Sequence, residues 1–303
     1  MEVKKPTTVE EQLEKLKSRG CIIADESFAK RKLQQINYYR LTAYFLPFKT
    51  SAGLYKDSTS FDTVYRIYEF DRKFRNLIFG AVEEVEIMLR MQLSYYHGQK
   101  YGALGYLNKD NFNLKHNIER FEKNIKKAIG QNSEQPFVKH HIEKYDGKFP
   151  IWVIIELFSM GELSFFFSDM KKADKKMLAK KLFGTSDFNV SSWLLCLTNL
   201  RNYCAHYSRL YFTKFGTVPA TPNDYPYRLR DHIFDYLLVL KFLYPDPEKW
   251  NNIFMVHLES LLDEYCGVVE MSHIGFPDNW KQLLFYREKL TLAGKSERTS
   301  TSK

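Results

Sequence analysis

The chain has little of what folds outside the all-α class need. Fourteen glycines and ten prolines among 303 residues are too few for a turn-dense β protein or a collagen-like repeat. The four cysteines, Cys21, Cys196, Cys204 and Cys266, lie far apart with no C-x-x-C pair. That spacing excludes a zinc ribbon and a disulfide framework and fits a reducing compartment. Long apolar runs are missing, and the stretches around 151–158 and 237–244 are too short to cross a bilayer. The opening MEVKKPTTVEEQLEKLKSRG lacks the apolar centre of a secretory signal. A soluble, cytoplasmic protein is the expectation. Walker loops, H-E-x-x-H and a G-x-G-x-x-G in the right context are also absent, which removes NTPase, metalloprotease and Rossmann readings.

What is present is a globular composition, 44% hydrophobic and 27% charged, which excludes wholesale disorder. Aromatics reach 16%, with 24 Phe and 20 Tyr. Forty-five Lys and Arg against 36 Asp and Glu give a formal charge of +9, which favours an anionic partner.

Apolar periodicity predicts helix almost throughout. Thr8–Glu11 has the spacing of a capping box, and the Val9, Leu13, Leu16 stripe after it stops at Gly20. A second helix starts near Asp25, an aromatic stretch ends at Pro47, and residues 49–60 read as loop. The strongest signal runs from about Phe61 to Tyr96, where Val64, Ile67, Phe74, Ile78, Val82, Val85, Leu89 and Leu93 keep a helical period. Arg66, Arg72, Lys73, Arg75, Glu83, Glu84, Glu86 and Arg90 read as its solvated face. After a loop over 98–113, helix resumes over 114–129. Pro150 opens an apolar helix interrupted at Gly161, and 171–181 is strongly basic. Ser191 or Ser192 is the expected cap of a helix burying Trp193, Leu197, Leu200 and Cys204. Residues 216–227 are loop. Helices follow over 229–243 and 247–265, the latter with Asp246 as N-cap and Pro247 at its first position. The sum is an all-α bundle, with a segment over 1–60 packed on a core over 61–215. A C-terminal extension covers 216–291 and a flexible tail 292–303.

Chemistry concentrates at Arg201-Asn202-Tyr203-Cys204-Ala205-His206 and the following Tyr207-Ser208-Arg209. An imidazole moves protons near neutral pH, and a guanidinium holds phosphate oxygens as charge builds. RNA brings its own nucleophile, the 2′-hydroxyl, so the pattern suits phosphodiester cleavage without Ser, Cys, metal or cofactor. Residues five apart on a helix lie roughly 140° apart. Arg201 and His206 therefore share a face only if the helix ends between them, or if two copies meet across a two-fold axis. The plainer reading is an Arg and a His satisfying polar groups at a helix end. Arg90 and His97 form an R-x6-H pair, read first as chance spacing. His140 and His141 do not match metal spacing. Glu156, inside an apolar run, needs a partner: either a core salt bridge or a role in orienting Arg201 or His206. The runs at Lys30–Lys32, Lys123–Lys127 and Lys171–Lys181 could track a nucleic-acid backbone, or be solvated helix faces. Tyr38, Tyr39, Tyr44 and Phe45 beside Arg40 offer stacking surfaces or core packing. Candidate RNA contacts are Arg209, Arg40, Tyr39, Lys126, Lys127, Lys171, Lys172 and Lys175.

In its order of motifs the chain resembles the bacterial abortive-infection proteins of the AbiD/AbiF type, in the HEPN superfamily. The matching pieces are Leu16–Gly20, Ile36-Asn37-Tyr38-Tyr39-Arg40-Leu41, Ile67–Arg72 and the acidic Glu83/Glu86 stretch. Next come Pro150-Ile151-Trp152, Glu156, Gly161-Glu162-Leu163-Ser164, Ser192-Trp193-Leu194, Arg201-Asn202 through Ala205-His206, and Gly275-Phe276-Pro277 with Trp280. The resemblance implies a HEPN-like helical bundle with additional N- and C-terminal helices, commonly dimeric. It also implies a metal-independent endoribonuclease toxin of phage defence, restrained by a small noncoding RNA. Arg201 and His206 become the catalytic pair and Asn202 the residue that positions the arginine. The single motif makes a homodimer the natural completion. Two alternatives stay open: a non-catalytic RNA-binding HEPN protein, and a helical protein that senses phage.

Overall fold

Capping side chains decide where most helices begin. The structure is a computed structural model, and it describes residues 5–223 and 225–286; the expected tail over 292–303 lies outside them. Helix α1 (Val9–Lys17) starts in the expected capping box, with Thr8 Oγ1 accepting the Glu11 amide at 3.2 Å and Glu11 accepting the Thr8 amide at 2.8 Å. Asp25 caps α2 (Glu26–Gln35), and α3 (Tyr38–Thr42) runs into a 3-10 turn over Ala43–Phe48. Leu13, Leu16, Ala29, Leu33 and Leu41 are buried, so this segment packs on the helices that follow.

The spine is α4 (Phe61–Tyr101), 41 residues long and about 60 Å from end to end. Ser60 caps it, and Asp62 in the first turn and Lys100 in the last suit the helix dipole. It passes through Gly80 and overruns the expected end at Tyr96, until Gly102 turns away at φ +82°. Two charges assigned to its solvated face are instead buried: Arg75 is 4% exposed and Glu86 8%. Each has an opposite charge within reach, which is what burial of an ion requires.

Helix α5 (Ile118–Gln131) starts at its Asn117 cap, later than the expected 114. The residues before it are committed elsewhere: Asn113 bonds the Ser168 and Asp169 carbonyls and His116 the Asp169 carboxylate. Pro136 opens α6 (Pro136–Lys144). The apolar run after Pro150 is a short α7 (Ile151–Ile154) that breaks at Phe158. The break does not fall at Gly161, because Ser159 and Glu162 form a second capping box that starts α8 (Met160–Asp169) and leaves Gly161 in its first turn. Helix α9 (Lys172–Phe183) ends on left-handed Gly184. Helix α10 (Asp187–Ala205) begins at Ser186, whose hydroxyl accepts the Asn189 amide, rather than at Ser191 or Ser192. Those two hydroxyls already serve the Asp187 carbonyl and the Ala220 amide.

Helix α11 (Ile233–Leu243) is buried along its whole length and packs on α10 and α4. Asp246 caps α12 (Pro247–Lys249) as expected, a π-helical turn over Trp250–Met255 follows, and α13 (Val256–Glu264) and α14 (Trp280–Leu284) complete the chain. The turn at Gly275 has φ +75°, and a Cβ there would fall 2.5 Å from that of His232. Only glycine fits such a position. The described residues contain isolated bridges and no strand, so the fold is all-α. Among the described residues no helix is long and apolar enough to cross a membrane.

Candidate functional site

Arg201 and Asn202 sit in the last turn of helix α10, and His206 follows it directly. Ala205 is its last residue, and His206 is the C-cap at φ −94°. Tyr207 then adopts the left-handed region at φ +57°. Its amide returns to the Cys204 carbonyl (3.2 Å) and that of Ser208 to the Tyr203 carbonyl (2.8 Å), the Schellman closure usually built on glycine. A tyrosine there costs about 1–2 kcal/mol, so the surroundings must hold it.

They do so through a buried clamp. Asp71, wholly buried on α4, accepts from the Tyr44 hydroxyl (2.7 Å), from Arg75, and from the amides of Leu210 (3.1 Å) and Tyr211 (2.9 Å). Arg75 also donates to the Ser208 carbonyl, Arg40 to the Tyr207 carbonyl and Arg209 to the Ala43 carbonyl. Burial pushes the Asp71 carboxyl above its ordinary range, while Arg75, the Tyr44 hydroxyl and the two amides pull it back. The backbone at Tyr207, Ser208, Leu210 and Tyr211 is thereby tied to α3 or α4, and Arg209 reaches the turn after α3 with its side chain.

Three turns further along α4, Glu86 stands between two arginines. Arg90 Nη2 donates to Glu86 Oε1 (2.6 Å) and to the Phe158 carbonyl (2.9 Å). Arg201 Nε lies 3.7 Å from Glu86 Oε2, and its guanidinium sits 5.7 Å above the Phe79 ring. Arg40, Arg75, Arg90 and Arg209 each give a hydrogen bond to a backbone carbonyl, whereas Arg201 makes none among the described residues. Its side chain is held by charge and ring contact with its terminal nitrogens available. The His206 imidazole is exposed and likewise makes no hydrogen bond or ring contact among the described residues. Exposed Asn202 shares this last turn. Among the described residues, a guanidinium without a hydrogen bond, engaged by Glu86 and Phe79, and an imidazole without a partner thus share one helix end.

Residues 31–212 match the Abi-like protein family. The chain belongs to that family. The match takes in the clamp, α4 and the whole of α10, and it associates the chain with abortive infection, a defence against phage. No curated protein and no solved structure matches it.

In this Abi-like protein the remaining sequence candidates separate. Glu156 is exposed after α7, so it is neither a core salt bridge nor the partner of Arg201; Glu86 takes that place. His97 is fully buried and stacked among Phe112, Phe166 and Tyr101, out of reach of any substrate, whereas Arg90 belongs to the Glu86 cluster. Arg40, although exposed, and Arg209 each donate to a backbone carbonyl of the clamp. Tyr44 and Phe45 are core, and Tyr39 is 86% exposed. Lys126, Lys127, Lys171 and Lys172 are exposed, while Lys175 donates to the Ser168 carbonyl. Among the described residues no group of three or more His, Cys, Asp or Glu is gathered to hold a metal. Asp71, Arg75 and Glu86 escaped the sequence reading as a site. Their signal was there: Asp71 and Arg75 are an opposite-charge pair at i, i+4 on the stripe that otherwise buries Ile67, Phe74 and Ile78.

Proposed function

We propose that this protein is a HEPN-type endoribonuclease, a defence toxin that cleaves RNA through its own 2′-hydroxyl. The observation that carries the reading is made among the described residues: a guanidinium with no hydrogen bond and an imidazole with no partner at the same helix end, beside a turn that Arg40, Arg75 and Arg209 fix. The 2′-oxygen bonds to phosphorus as the bond to the 5′-oxygen breaks, leaving a 2′,3′-cyclic phosphate and a 5′-hydroxyl. His206 takes the 2′-hydroxyl proton or protonates the leaving oxygen, and Arg201 meets the charge on the non-bridging oxygens. Asn202 adds a neutral donor beside them. Glu86 is a positioning residue that orients Arg201 while Arg90 shares its charge.

One imidazole cannot serve as base and acid in the same step, and a homodimer supplies the second. An exposed stripe on α4 supports this: Ile87, Met91 and Tyr95, each more than half exposed, recur at i, i+4 beside exposed Trp152 and lead back to Phe79 under Arg201. Apolar stripes of this kind mark contact surfaces. The reading also includes a bacterial cytoplasmic setting, restraint by a small structured RNA and catalysis without metal.

The test is cleavage of RNA by the purified chain and by His206→Ala and Arg201→Ala, with folding checked by circular dichroism. Loss of general acid–base help is worth about 10²–10⁴ in rate, so His206→Ala should fall at least a hundredfold, and cleavage should persist in EDTA. Undiminished cleavage by His206→Ala would overturn the assignment, and so would activity that vanishes with EDTA. Salt-sensitive RNA binding without cleavage would select the non-catalytic RNA-binding alternative.

A further inference from the structure

Helices α5 and α8 leave an open groove of about 630 Å³ between them. From α5 come Arg120, Asn124, Lys127 and Gln131, three or four residues apart and so on one face; from α8 come Glu162 and Phe165. The charges are unevenly engaged. Glu162 is occupied by its own capping box, and Asp169 at the far end of α8 by His116 Nδ1 at 2.9 Å. Arg120 and Lys127, with Lys115 at the rim, form no ion pair among the described residues. The amides of Asn124 and Gln131 are equally uncommitted. Phe165 is 63% exposed and stacks on no other ring, although its neighbour Phe166 touches four aromatic side chains. Nothing in the core requires an aromatic at that position.

The groove adjoins the Arg201 site. Ser159, on its wall, follows Phe158, whose carbonyl receives Arg90 from the Glu86 cluster. Gly161, also on the wall, lies against Thr198, and a Cβ there would stand 3.5 Å from Thr198 Cγ2. Thr198 is one helical turn before Arg201.

We infer that this groove holds an unpaired stretch of single-stranded RNA beside the scissile phosphate, with Phe165 stacking on a base, Asn124 and Gln131 meeting base edges, and Arg120 and Lys127 holding phosphates. The chemistry is that of single-strand recognition: the Watson–Crick edges that free amides can read, and the base faces that a lone exposed ring can stack on, are open only in unpaired nucleotides. A duplex presents neither. The inference rests on the ribonuclease reading for its substrate, and it assigns that substrate a strandedness.

The experiment uses the full chain carrying His206→Ala and measures fluorescence anisotropy with a short labelled oligoribonucleotide, single-stranded or annealed to its complement. Phe165→Ala should weaken single-strand binding at least about fivefold and leave duplex binding unchanged. Arg120→Glu with Lys127→Glu should weaken it more than Lys49→Glu with Lys56→Glu in the loop before α4, an exposed pair that changes the net charge equally. Groove variants that behave like the loop pair would overturn the inference, and so would a Phe165→Ala effect on oligomeric state in place of RNA affinity. Cleavage by the unmodified chain, run alongside, reports on the ribonuclease reading alone. Intact cleavage with indifferent groove variants sinks only the groove, and groove-dependent binding without cleavage sinks only the nuclease.

Discussion

A proton has no welcome on His97. The imidazole is fully enclosed by Phe112, Phe166 and Tyr101, and neither ring nitrogen has a hydrogen-bond partner. Burial holds its pKa down at about 4, against the weaker opposite pull of Asp174. An ordinary histidine titrates near 6.5, so between these values the unfolded chain binds the proton and the folded chain does not. This contribution to stability is complete above pH 6.5, shrinks as pH falls through that window and is gone below pH 4. At pH 5 the loss is about 2 kcal/mol. Urea unfolding at pH 7.5 and pH 5 should therefore show a steeper acid loss for wild type than for His97→Leu. Equal losses would mean that the ring is solvated in solution.

Along α4, polar side chains recur on one line of an apolar stripe: Arg75, Glu86 and His97 stand eleven residues apart, within about 20° of three full turns. Each serves a different part of the molecule: the clamp, the arginine cluster and the aromatic cage. The clamp admits a sharp test. Asp71→Ala strands Arg75 in the core, a loss on the order of 3–5 kcal/mol, and releases the Leu210 and Tyr211 amides together. Tyr44→Phe removes one hydroxyl and should cost about 1 kcal/mol. Equilibrium unfolding would rank them, and near-equal costs would contradict the clamp's geometry. Much of this architecture was legible in the sequence, because caps are local: Thr8, Asp25 and Asp246 each announce a helix by a side chain three residues from its target. The Ser186 cap was missed because Ser191 and Ser192 have the same chemistry, and only their tertiary partners remove them from contention. Arg201, Asn202 and His206 were legible as a motif. Glu86 and Asp71 were not, since a charge on a long amphipathic helix reads as solvated until the helix that covers it is known.

At the scale of the whole molecule, the +9 charge and the α4 stripe lead to two measurable expectations. If the stripe joins two copies, Ile87→Glu with Met91→Glu should shift light scattering from dimer to monomer and take cleavage with it. An unmodified chain that is already monomeric would refute the arrangement. If structured RNA lies on the basic helices α5 and α9, its affinity should fall linearly on a logarithmic salt scale, about one order per counterion released for each tenfold rise in salt. A flat profile would place recognition elsewhere.

The segment carrying His206 is fastened to residues made long before it. Arg40 reaches Tyr207 across 167 positions, Arg209 reaches Ala43 across 166, and Asp71 holds Tyr211 across 140. A ribosome adding about 5–20 residues per second needs roughly ten to thirty seconds to travel from the anchor to the segment it anchors. Through that interval the nascent chain holds half a clamp and lacks His206. The proposed activity therefore begins only after the chain has emerged far enough to close on its own beginning, so the clamp acts as a delay as well as a brace. A ribosome that stalls before His206 leaves a protein with neither its brace nor its chemistry.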